Sequence, residues 1–162
     1  MQQTSAQYFK ALTVLCIALI MGVIMLGAIM VFVSTSTEMP HRMADQANVF
    51  GIVAFVMAGA SLFAALTLYK SRMLAAKEMT SLADKLNAYR AAIILFYALL
   101  EGPALFSIIA FFVTGDRKIL AVAAGDVLIM LAFIPSRQRL IKSLDLSSQE
   151  ADIINDPEGV IE

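Results

Sequence analysis

The sequence predicts an all-α polytopic membrane protein, a four-helix bundle made of four spans. Three observations carry that prediction. The 162 residues are 60% hydrophobic and only 15% charged, with a mean hydropathy of +0.80; a soluble domain of this length needs far more polar surface. Four apolar runs, at residues 9–33, 49–69, 89–113 and 119–134, read as bilayer spans. The basic residues flanking those runs are strongly one-sided.

The first run is too long for the apolar region of a signal peptide, and no small-x-small cleavage site follows it, so it reads as a retained signal anchor. The single cysteine, Cys16, lies in mid-run, where a thiol is a small apolar side chain with no disulfide partner. The loop "STSTEMPHRMADQAN" is polar, and Pro40 breaks any helix in it. His41 stands there between Glu38 and Asp45 without the ligand number or spacing of a metal site. No metal and no cofactor are expected.

In the second run Gly51, Ala54, Ala58, Ser61 and Ala65 recur at intervals of 3, 4, 3 and 4. Such a stripe lets helix backbones approach closely in lipid, and an internal contact is the expected use. The connection "KSRMLAAKEMTSLADKLNA" places Ala75, Met79, Leu82 and Leu86 on one helical face. That amphipathic helix either lies on the membrane surface or extends a neighbouring span. The turn "TGDRK" is so short that the third and fourth runs must form an antiparallel hairpin. The fourth run is expected to continue past Pro135, with Arg137 and Arg139 snorkelling. Residues 143–162 carry six acidic and no basic residues, and are expected to be a mobile acidic tail.

Orientation follows from the flanking charges. Lys10, Lys70, Arg72, Lys77, Lys85, Arg90, Arg137, Arg139 and Lys142 fall on one side, against Arg42, Arg117 and Lys118 on the other. Nine against three puts both termini in the cytoplasm of a protein of the inner (plasma) membrane. Tyr8, Tyr69 and Tyr89 then fall at the cytoplasmic interface, a preferred depth for amphipathic rings. An 80-residue shift lays run one on run three with eight identities in 24 positions, among them Ala11/Ala91, Gly22/Gly102 and Ile29/Ile109. This predicts two repeated hairpins.

One feature of the third run bears on function. "FYALLEGPALF" puts Glu101 at mid-span, beside Gly102 and Pro103. A charge at that depth costs at least about 2.5 kcal/mol, so such a carboxyl either holds its proton or faces a partner, a cation or water. Pro103 deprives the Leu99 carbonyl of its helical donor and is expected to kink the helix, as discontinuous helices do at ion sites. Tyr97, one turn earlier, is placed to hydrogen-bond Glu101. Asp126 is a second mid-span acid, on run four, about one turn away in depth, roughly 6 Å. Glu101, Asp126 and Tyr97 are therefore the candidate proton or cation site.

The segment "FYALLEGPALFSIIAFFV" resembles the carboxylate-bearing helix of the c subunit, or proteolipid, of rotary ATP synthases. Ala98, Leu99, Glu101 and Gly102 match that family's core, and the resemblance implies that Glu101 is an ion-binding carboxylate. It covers about 18 of the 162 residues, and the family's glycine run and short Arg-containing loop have no counterpart here. The chain also resembles small four-span bacterial membrane proteins with an acid-Gly-Pro segment. The expectation is an independent membrane protein with a proteolipid-like helix, binding or translocating a proton or cation. The alternative is a structural or assembly protein whose buried acids fix helix packing. No nucleophile–base pair or phosphate loop is visible, so no enzyme is expected, and the formal net charge of −1 gives no sign of nucleic-acid binding. The expected partners are the lipid bilayer and either a second copy or another membrane protein.

Overall fold

Long apolar runs with few breakers produce long helices. In the computed structural model, which describes residues 3–36 and 43–161, these are α1 (Ser5–Ser36), α2 (Ala47–Lys77) and α3 (Leu82–Thr114). Three shorter helices follow: α4 (Leu120–Ala132), α5 (Arg137–Leu144) and α6 (Ser148–Asn155). The fold is all-α apart from β1 (Gln3–Thr4) and β2 (Val160–Ile161), which pair antiparallel. Three helices are long and apolar enough to cross a membrane, or four if the broken pair 117–132 and 137–144 is one span. Glu38, Pro40, His41 and Arg42 lie outside the described residues.

The described residues form two compact units. The first gathers Met1–Ile17, Leu66–Phe96 and Ile134–Glu162; the second gathers Ala18–Ala65 and Tyr97–Phe133. All nine basic residues of the predicted cytoplasmic side fall in the first unit, and Arg117 and Lys118 fall in the second.

In the first unit the acidic end is docked, not mobile. Ser147 caps α6 with a full capping box, accepting from the Glu150 N–H while the Glu150 carboxylate accepts from the Ser147 N–H at 2.8 Å. Ile154 of α6 is buried, and its carbonyl accepts from the Ser5 hydroxyl at 2.7 Å. Lys85 donates to Glu150 at 2.7 Å with both side chains largely shielded, and Arg137 donates to the Asn155 carbonyl. Thr4 pairs with Val160, so the two ends of the chain are stitched together. Composition misjudged this segment because two of its partners, Lys85 and Ser5, lie 65 and 149 positions away.

The connection between α2 and α3 also differs from the expected single amphipathic helix. α2 runs on to Lys77, a turn occupies 78–81, and α3 begins at Leu82. The stripe breaks at Met79, which is exposed; on either side of the turn Met73 and Ala76 at the end of α2 and Leu82 and Leu86 at the start of α3 are buried. Tyr8 and Tyr89 are buried in protein instead of lying against lipid, and the Tyr8 hydroxyl donates to the Leu86 carbonyl at 2.7 Å.

The Lys85 hydrogen bond, supplemented by those from Ser147, holds the Glu150 carboxyl below its usual range against the opposing effect of burial. A folded-state carboxyl more acidic than the unfolded one stabilises the fold above the unfolded value of roughly 4.3, and that contribution is lost as pH falls through the folded value. The protection of α6 amides, corrected for the intrinsic exchange rate at each pH, should therefore fall on acidification through this range. Glu150→Gln should lose about 1 kcal/mol of α6 protection at neutral pH. Equal protection in both proteins at every pH would remove the ion pair from the account of how the end is held.

In the second unit the turn between α3 and α4 is set by Gly115, whose φ of 75° suits glycine. The Asp116 side chain accepts from the Lys118 N–H and opens a single 3₁₀ turn, Arg117–Ile119. The expected antiparallel hairpin follows, with Ala104 and Ile108 of α3 packed in one cluster with Ala123 of α4 and Val23 of α1. A second cluster joins Ala54, Ala110 and Ile119, with Phe50 and Phe106 stacked beside it. The small-residue stripe of α2 faces inward: Ala54 and Ala65 are buried and Gly51, Ala58 and Ser61 half-buried, while Phe55 and Phe63 are 72% and 74% exposed. An outward face of this kind suits lipid, not water. α4 ends at Ala132 and does not continue straight past Pro135, because residues 133–136 are non-helical.

Candidate functional site

The polar residues of the long apolar helices can be placed one by one. Tyr97 is fully buried on α3, and its hydroxyl donates to the Met130 carbonyl of α4 at 2.7 Å. Its one proton is thus committed to the α3–α4 hairpin and not to Glu101. Met130 sits two residues before the end of α4, where its carbonyl accepts from the Phe133 N–H at 3.1 Å and takes the Tyr97 hydroxyl as a second donor.

Glu101 is half-buried, at the edge of the packed face of α3 formed by Tyr97, Leu100 and Ala104. Among the described residues its side chain makes no hydrogen bond or ion pair. α3 runs unbroken through Pro103, so the expected discontinuity beside Glu101 is absent. The Pro103 carbonyl accepts from the buried Ser107 hydroxyl at 2.8 Å, and Thr114 bonds back to Ala110 in the same way. These back-bonds satisfy hydroxyls that would otherwise be orphaned in an apolar interior.

Asp126 is the most isolated polar group of this unit. It is 3% exposed, and its Oδ2 atom has no hydrogen-bond partner. No hydrogen bond joins it to Glu101. It lines a groove of about 450 Å³ between α2 and α4, together with Phe55, Ala58, Gly59, Leu62, Gly125 and Ile129. A second hollow of about 380 Å³ shares Phe55 and Val122 with the first and reaches Asn48, Asp116 and Lys118. An unpaired carboxyl in such a wall is expensive, and this is the setting in which intramembrane acids hold a proton or a cation.

Reading the sequence found the acid but not the groove. The signal was present in "AAGDVLIML", where Gly125 precedes Asp126, and in Gly59, which follows the stripe residue Ala58. A Cβ at Gly59 or Gly125 would meet nothing within 4 Å, so both glycines leave space and neither is needed for close packing. Comparison with protein-family models, curated proteins and solved structures finds no match to this chain.

Proposed function

We propose that this chain is a four-span protein of the plasma membrane, with both termini cytoplasmic, whose intramembrane carboxyls bind and exchange a proton or small cation. The observation that carries the reading is the buried Asp126 carboxyl, unpaired at Oδ2 and opening on a groove. Glu101 is the auxiliary acid: it is half-buried, and the resemblance of its segment to the proteolipid helix supports an ion-binding role. Tyr97 acts as a positioning residue, locking α3 to α4 through Met130. The segregation of the nine basic residues into the unit that holds both termini supports the orientation.

A lipid-soluble carbodiimide reacts with protonated carboxyls reachable from the apolar phase, and tests the site directly. Peptide mapping after treatment in proteoliposomes should find Asp126 modified, with Glu101 a second target and Glu150 unmodified. Modification confined to carboxyls of the first unit would contradict the reading.

A further inference from the structure

We infer that the groove beside Asp126 binds a lipophilic ammonium ion drawn from the bilayer. This deepens the preceding reading and rests on its claim that Asp126 is an exchanging carboxyl. The groove's volume, about 450 Å³, lies in the range that holds a small organic molecule, roughly 300 to 1,000 Å³. Its wall is apolar except for one group, and that group is an acid with an oxygen lacking a donor. No lysine or arginine lies at mid-depth in α2, α3 or α4 to neutralise it. The complementary ligand therefore has an apolar body, one positive charge and an N–H. The ammonium pairs with the Asp126 carboxylate, and the body lies along Leu62, Ile129 and Phe55, an aromatic of the kind that attracts cations. The groove opens beside a lipid-type surface, with Phe55 of its wall 72% exposed, so a molecule dissolved in the membrane reaches it laterally.

The glycines provide a test that leaves the acid in place. A Cβ at Gly125 or Gly59 meets nothing within 4 Å, so a leucine at either groove-lining position is placed to occupy the groove. The probe is a dansyl-labelled primary alkylamine, with its N-acetylated neutral counterpart as control, titrated into the full chain in lipid nanodiscs and corrected with empty nanodiscs. The wild type should bind the amine at least about tenfold more tightly than the neutral compound. Asp126→Asn should abolish that preference, and Gly125→Leu should abolish binding of both compounds while the protein keeps its helicity and thermal midpoint. No preference in the wild type overturns the inference, as does an undiminished preference in Asp126→Asn or undiminished binding in Gly125→Leu. If carbodiimide modifies Asp126 but the amine shows no preference, the ligand class is wrong and the exchanging carboxyl stands. If Asp126 resists carbodiimide and the amine also fails to bind, both fall.

Discussion

Truncating Tyr97 to alanine is expected to destabilise the protein by about 3–5 kcal/mol, the range for removing a large buried aromatic side chain. The ring is fully buried on α3 and its hydroxyl ties that helix to Met130 of α4. Tyr97→Phe keeps the ring and loses only the hydrogen bond, so it should cost about 0.6 to 2 kcal/mol. Denaturant titration of the micelle-bound protein reads both values. Tyr97→Phe should leave ion exchange intact, because the hydroxyl is spent on a carbonyl. A variant of unchanged stability that loses exchange would instead place Tyr97 in the ion path.

A second large effect is expected at the small-residue stripe. Ala54 is completely buried among Phe50, Phe106, Ala110 and Ile119. Ala54→Phe drives a ring into filled space and should cost about 3 kcal/mol, at the upper end for overpacking. Gly59, five residues on in the same helix, faces the groove, and Gly59→Leu should be neutral or stabilising by up to about 1 kcal/mol because glycine is a poor helix former. The same denaturation measurement compares them. Equal costs at the two positions would mean that the stripe does not mark the packed face.

The long helices were legible because an apolar run of span length leaves the backbone no alternative in lipid. The inward turn of Ala54, Ala58 and Ala65 was legible from their spacing, and the α3–α4 hairpin from the shortness of "TGDRK". What could not be read was settled by distant partners. α6 docks through Ser5 and Lys85, and nothing in its acidic composition announces them. The partner of Tyr97 depended on how α3 and α4 face each other, which spacing along one helix does not set. The eight identities of the 80-residue repeat do not occupy the buried face of α1: none of those positions is buried there. Those identities therefore lie off the packed face and give no support to a repeated core. The buried Leu12, Cys16 and Ile20 stand against Ala92, Phe96 and Leu100, which are buried too, so the two helices share the register of burial but not the residues that fill it.

The central claim is that Asp126 exchanges a proton or cation within the membrane. Its most direct test is the decay of an imposed pH gradient across proteoliposomes, read with an entrapped dye, at equal protein loading. Wild-type vesicles should dissipate the gradient faster than protein-free vesicles, and Asp126→Asn should return the rate to the protein-free value, with Glu101→Gln intermediate. A wild-type rate equal to that of empty vesicles, or an Asp126→Asn rate equal to wild type, would contradict the account.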